Sequence, residues 1–350
     1  MKYKCVKSSV EKWLMLLSLM FIVPSVHAEQ SELRVVRLAV DSMPQIKLIQ
    51  KMQIAGNRLC VIYEQPNHWG SELLCTFRIL ESENRLVFDD EYFRIPSQSN
   101  GIDYPLLFED SAKLSYVTDR TYPLVFLFDF DKHRMQNTHR FILSTHSKVP
   151  YPMSQTVNAA YRSSDSTTYF VGRQPMKGYQ ALYRSQTDSA SCIVTEVARL
   201  MYSDRYPAWT VNAGSAVFCN ENHRLAIGFN LFPAIQIVDY LTGNSMMVKL
   251  ADTDYRHLKL AVGDVWEENP MQIKDVTSTP QRVYALWWGR RSASMQALRR
   301  KNQAVCKIVS FDWQGEHVKA YVVHQYLTAI VALADGKLLG TDGKHFYLLF

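Results

Sequence analysis

The chain has 350 residues, 47% of them hydrophobic and 12% aromatic, with 39 basic and 33 acidic side chains and a formal charge of +6. That composition excludes an intrinsically disordered chain. Setting aside four lysines (Lys2, Lys4, Lys7, Lys12) and Glu11 near the start leaves 35 basic and 32 acidic residues, a net +3, which excludes the electrostatic footprint of a nucleic-acid-binding protein.

The basic start runs into an apolar stretch from Trp13 to Val23, then Pro24, then Val26-His27-Ala28. Charge, apolar core and small residues before a cleavage point are the order of a secretory signal peptide, here residues 1–28. The apolar core falls short of the roughly twenty residues that a membrane-spanning helix needs. Cys5 lies before that core, whereas an acylated lipoprotein cysteine would follow it. The expected location is periplasmic or secreted, with no membrane span in the rest of the chain.

Five cysteines remain: Cys60, Cys75, Cys192, Cys219 and Cys306. None forms a C-x-x-C pair, so zinc and thioredoxin-like chemistry are not indicated. Arg58 to Glu64 and Ser71 to Leu80 read as two arms of a hairpin. A turn centred between Asn67 and His68 would set Cys60 opposite Cys75, close enough for a disulfide. The alternative is two small buried hydrophobes on one sheet face.

From there on, short runs rich in Val, Ile, Leu, Tyr and Phe alternate with turns of Gly, Asn, Asp or Pro, the grammar of strands and hairpins. Examples are Leu59 to Tyr63, Leu124 to Phe128, Ile235 to Val238, Val283 to Trp288 and Phe346 to Phe350. Several are apolar at successive positions, as in sheets covered on both faces. Many short strands in doubly covered sheets with few helices predict an all-β propeller. The runs group in fours at a spacing of about fifty residues, a repeat length within propeller range. This places blades at 51–95, 105–143, 155–200, 209–250 and 271–323. A sixth is 326–350 joined by an N-terminal strand, Leu33 to Val40, which closes the ring. The expectation is thus one six-bladed β-propeller domain over 29–350, with seven blades or paired β-sandwiches as alternatives. Asp239 to Gly243, Asp312 to Gly315 and Ala334 to Gly336 read as tight turns that need positive φ at glycine.

Phe311-Asp-Trp-Gln-Gly-Glu-His-Val-Lys-Ala-Tyr321 resembles the penultimate-blade hairpin of TolB-like six-bladed propellers of Gram-negative cell envelopes. Val283 to Arg290 resembles the strand before that hairpin, and Thr328 to Leu333 with Asp335 to Gly340 resembles the closing blade. The resemblance is strong over the C-terminal third and looser elsewhere. It implies an envelope propeller and brings no catalytic residues with it. The chain departs from the family in lacking an acylation cysteine, and in lacking a Gly-Arg-Gly-Pro-Glu-like segment near Pro96 to Gly101.

Enzyme signatures such as G-x-S-x-G, H-E-x-x-H, the P-loop and the EF-hand are absent, so catalytic residues stay unassigned, and no metal or cofactor is expected. Loops joining second to third strands, and blade to blade, line the face on which propeller ligands are expected. The candidate ligand-binding residues on that face are Trp69, Arg120, Arg173 and Lys177, then Arg290, Arg291, Arg299 and Arg300 in the long segment 289–303. With Lys301, the last group sets five cations beside Trp287 and Trp288, able to bind a carboxylate, phosphate or acidic glycan. The alternative is a solvated basic loop over buried tryptophans, with a short helix through Met295 to Leu298. The expected function is a non-catalytic binding or scaffold module for an envelope protein, peptide or acidic glycan. The alternative is a glycan lyase or hydrolase with its site at the channel mouth.

Overall fold

The computed structural model describes residues 30–42, 46–64, 72–92, 105–111, 115–119, 125–129, 134–137, 159–173, 179–187, 192–202, 208, 210–251, 258–259 and 265–350. The described chain is an all-β propeller of six sheets. In chain order these are sheet I (48–92), II (105–137), III (159–199), IV (214–249), V (271–323) and VI (329–349). Each is an antiparallel meander in which sequence neighbours pair. Their first strands are Leu48–Ala55, Pro105–Glu109, Ala159–Arg162, Gly214–Cys219, Met271–Ser278 and Ala329–Ala332. These strands pack in succession: II on III, III on IV, IV on V, V on VI and VI on I, while the first strand of II also meets the third strand of I. The ring closes around a central axis. Of sheet II, little beyond the first strand has described side chains.

Apolar runs explain why the sheets stack. Arg224–Phe229 and Ala234–Asp239 are buried at five successive positions each, so both faces of sheet IV are covered. Five separate cores fill the gaps between consecutive sheets, II/III, III/IV, IV/V, V/VI and VI/I. In the VI/I gap Phe346 meets Phe77 edge-on at 5.5 Å. Each fully buried side chain of this size contributes roughly 1.5–3 kcal/mol. Gly228 marks the closest approach. A Cβ there would lie 2.4 Å from Ile273 Cγ2 and 2.6 Å from Val276 Cγ2, so only glycine lets sheet IV press on the first strand of sheet V.

The N-terminal segment crosses three sheets instead of completing one. β1 (Gln30–Glu32) runs parallel to Lys319–Val323 at the outer edge of sheet V. β2 (Val35–Arg37) pairs antiparallel with Phe346–Leu349 as the fourth strand of sheet VI. β3 (Ala39–Asp41) runs parallel to Arg85–Tyr92 at the outer edge of sheet I. Between β2 and β3, Leu38 is buried in the VI/I core, and Asp41 pairs with Arg85. Three outer edges are thereby covered, which removes templates for edge-to-edge pairing.

The disulfide expectation is overturned. Cys60 and Cys75 are both buried free thiols. The register sets Cys60 opposite Thr76 and Cys75 opposite Val61, one residue from the pairing expected of a turn centred between 67 and 68. A one-residue shift moves a side chain to the other sheet face. Cys75 and Val61 therefore point into the VI/I core while Cys60 points away. Burial pushes both thiols well above their ordinary pKa.

Candidate functional site

The six first strands line a central cavity of about 610 Å³, a size typical of ligand pockets. It begins at one level on all six, at Lys51, Leu106, Ala159, Ala216, Val276 and Ile330, and runs toward the turns that join first to second strands. The cavity opens on the tight-turn face, opposite the one on which sequence places the ligand. That turn face is compact because its links are short. The glycines of three of them, Gly243, Gly315 and Gly336, take φ of 79°, 78° and 86° as the turn sequences require.

Charged residues sit at both ends of this cavity. Lys51, from the first strand of sheet I, reaches toward the diametrically opposite sheet IV, where its Nζ lies 3.5 Å from the Ala216 carbonyl oxygen. Nearby, Asp275 of sheet V is buried. Its Oδ1 accepts from Ser215 Oγ at 2.6 Å and its Oδ2 from the Ile330 amide at 2.9 Å, so one carboxylate joins sheets IV, V and VI. Burial raises the Asp275 pKa, and the Lys51 charge and these hydrogen bonds partly oppose the rise. One turn of the strand farther on, Thr277 Oγ1 accepts from the Ala332 amide at 3.0 Å. At the open end Glu109 terminates the first strand of sheet II and Glu221 follows that of sheet IV. Between them, on sheet III, the Tyr161 ring packs against Phe218 at 6.1 Å and Tyr240 at 5.6 Å.

The segment after Val283–Trp288 has a different organisation. Helix α2 (Ser292–Arg300), which follows the short helix α1 (Val265–Glu268) in the chain, fills most of it, in line with the expected helix through Met295–Leu298. Met295 is buried in the V/VI core and anchors the helix. Arg299 is structural: it lies 3.4 Å from Asp342 and its guanidinium stacks 4.9 Å from the Tyr326 ring centre. Asp342 also accepts from His345 Nδ1 at 3.0 Å and the Tyr347 hydroxyl at 3.1 Å. Burial alone would raise its pKa, but hydrogen bonds from the His345 ring and the amides of His345 and Lys344 more than offset this, and the carboxyl lies below its ordinary value. Arg290, Arg291 and Arg300 are exposed, as is Lys301. The two tryptophans are framework residues: Trp287 Nε1 donates to Gln272 Oε1 at 2.9 Å and Trp288 Nε1 to the Leu327 carbonyl at 2.7 Å.

Of the sequence-derived candidates, Trp69, Arg120 and Lys177 lie outside the described residues, and Arg173 ends the second strand of sheet III with its side chain also outside them. The structure brings Arg290, Arg291, Arg299 and Arg300 together around α2 and binds one of them, Arg299, into the fold. Sequence reasoning missed Lys51, Asp275, Glu109, Glu221 and Tyr161. The signal for the first two is charge inside strands that are otherwise core, Leu48-Ile-Gln-Lys-Met-Gln-Ile-Ala55 and Met271-Gln-Ile-Lys-Asp-Val-Thr-Ser278. Among the described residues, Asp312, Glu316 and His317 group their ligand-type atoms within 4.8 Å. They form a turn in which Asp312 already accepts from its neighbours' amides and from His317.

No family model and no curated protein matches the sequence. Solved structures do match in fold. A protein from Bacteroides fragilis inferred to be exported superposes with a TM-score of 0.53 at 10% identity, covering 91% of this chain and 94% of that one. A Trichoderma reesei enzyme of carbohydrate-active family AA12 gives 0.52 at 8% identity, covering 94% and 99%. A member of the DUF4221 family from Bacteroides vulgatus gives 0.51 at 11%, covering 92% and 98%. At these identities the likeness establishes the propeller fold alone.

Proposed function

We propose that the protein is an exported six-bladed propeller of the cell envelope that binds a protein, peptide or acidic glycan without transforming it. In this reading each sheet is one blade, residues 29–350 are one domain, and residues 1–28 are removed on export to the periplasm or medium. Among the described residues no helix is long and apolar enough to cross a membrane. The TolB-like resemblance supports the same reading, since Phe311–Tyr321 falls on the hairpin between the last two strands of sheet V.

The observation that carries the non-catalytic reading is the commitment of Asp275. A general acid or base must exchange a proton with its substrate across a hydrogen bond. Both Asp275 oxygens are instead occupied by groups of the neighbouring sheets. The exposed Arg290, Arg291 and Arg300 supply docking charge for carboxylates or phosphates on the α2 side. The second reading, a glycan lyase or hydrolase, draws on Glu109 and Glu221, two carboxylates lining one cavity.

Two measurements test the proposal. Intact mass of protein recovered from the envelope or medium is expected to correspond to residues 29–350; recovery with residues 1–28 attached contradicts export. Replacing Arg290, Arg291 and Arg300 by glutamine is expected to lower retention of acidic envelope glycans and peptides at least tenfold. Unchanged retention contradicts a role for the α2 side.

A further inference from the structure

We propose that Lys274 is a covalent capture point, whose side-chain amine forms a reversible imine with an aldehyde, either a small free one or the reducing end of a glycan. The inference goes beyond the binding reading above and does not depend on the exposed arginines of α2.

Lys274 lies on Met271–Ser278, the first strand of sheet V. Pairing with the second strand passes from Ile273–Trp287 directly to Asp275–Leu286, so Lys274 is the extra residue of a β-bulge. A bulge takes its residue out of the ladder and re-aims the side chain, and bulges concentrate beside functional sites. Here the Lys274 Nζ lies 5.4 Å from the centre of the Trp288 ring, which belongs to the V/VI core. Among the described residues this amine has no hydrogen bond and no ion pair, whereas a lysine set in an apolar gap ordinarily has a partner. The other charged groups of the gap are committed to one another. Arg299 pairs with Asp342, and His345 donates to the same carboxylate. Asp275, the next residue in the strand, has its oxygens held by Ser215 and Ile330. Burial pushes the Lys274 pKa below the ordinary lysine value, and the Asp275 charge opposes the shift only in part. A desolvated lysine offers more of the free base, the form that attacks carbonyl carbon. The side chain is half-buried, so a small aldehyde can reach it. In the reaction the amine nitrogen bonds to the aldehyde carbon, and one nitrogen proton passes to the oxygen through solvent. The carbinolamine then loses that oxygen as water and leaves a protonated imine. Its positive charge sits where the ammonium sat, over the Trp288 face, which attracts a cation. Hydrolysis runs the same steps backwards and returns the aldehyde unchanged.

The test is reductive trapping. The mature protein is incubated at pH 7 with a limiting aldehyde and cyanoborohydride, which fixes an imine as a stable secondary amine, and peptide mapping by mass spectrometry locates the adducts. The exposed Lys301 and Lys344 serve as internal standards. Lys274 is expected to be labelled about tenfold or more faster than either. That preference is expected to shrink as pH rises toward the ordinary lysine value of 10.5, where exposed lysines also lose their proton. Two aldehydes separate the sources. An adduct with glycolaldehyde alone supports capture of a small free aldehyde, and an adduct also with an acidic disaccharide supports capture of a glycan's reducing end. The same disaccharide reduced to its alditol is expected to give no adduct. Lys274→Arg, which keeps the charge and the bulk, is expected to remove the fast phase of labelling, with circular dichroism checking that it is folded. If that variant does not fold, mapping of the wild-type protein decides alone. Labelling of Lys274 no faster than that of Lys301 and Lys344 would overturn the inference, as would a fast phase that persists in folded Lys274→Arg.

Discussion

At the residue scale the channel wall depends on Asp275. Its carboxylate ties three sheets at one point, so Asp275→Ala should leave the Ser215 hydroxyl and the Ile330 amide without their acceptor, and Lys51 with less compensation. We expect a loss of about 3 kcal/mol in denaturant unfolding, from the cost of orphaned buried donors. Asp275→Asn, which keeps an acceptor, should lose less; an unchanged midpoint in the alanine variant would contradict the bracing role. The pH behaviour has opposite signs at two carboxylates. The Asp275 pKa is raised in the fold, so its contribution is present below the ordinary value of 3.8 and is lost as pH rises through the folded value. Asp342 is lowered, so its contribution is present above 3.8 and is lost as pH falls through its folded value. Asp342→Asn should therefore cost about 1–2 kcal/mol at neutral pH and flatten the acid limb of a stability-against-pH curve below pH 4. An acid limb identical to wild type would contradict this. The residue scale is also where the sequence was least legible. Whether Cys60 and Cys75 share a face depends on one residue of hairpin register, and composition carries no such information. Lys51 and Asp275 are visible as charges inside apolar strands, but only the closed ring shows that the Lys51 charge acts on the buried Asp275 beside one channel.

At the element scale most strands could be read from their apolar runs. The turns could be read from Gly243, Gly315 and Gly336, which all adopt the left-handed backbone. Helix α2 was anticipated around Met295 to Leu298 and extends over Ser292–Arg300. The segment Leu33 to Val40 was foreseen as a single closing strand. The structure instead divides residues 30–41 into three strands on three sheets, which sequence does not show, because β1 and β3 pair in parallel with strands whose outer edges have no local sequence signature. Removing residues 29–41 should expose the edges of sheets V, VI and I and lower Tm by about 10 °C, taking roughly 2–4 °C per kcal/mol and a loss of about 3–5 kcal/mol in hydrogen bonds and Leu38 burial. A truncated protein that melts at the full-length temperature would show the strap to be dispensable. Gly228→Ala should cost about 1–3 kcal/mol by overpacking against Ile273 and Val276; a neutral result would mean that sheets IV and V can separate without penalty.

At the scale of the whole molecule the ring makes two faces of different character. Short turns and the cavity mouth occupy one, and α2 lies on the other. The fold class was legible because doubly buried strands in groups of four have few packing solutions. The cavity was not, since it is a product of six first strands meeting, and loop length, which sequence reasoning weighs, carries no sign of it. The central claim is that this ring holds its ligand without altering it. The most direct test is to incubate the mature protein with fragments of envelope peptides and glycans and to weigh what it retains and what it releases. We predict that retained molecules are recovered at unchanged mass and that nothing new accumulates with time. A product of altered mass that grows with protein concentration and is lost in a Glu109→Gln, Glu221→Gln variant would contradict the claim and establish an enzyme.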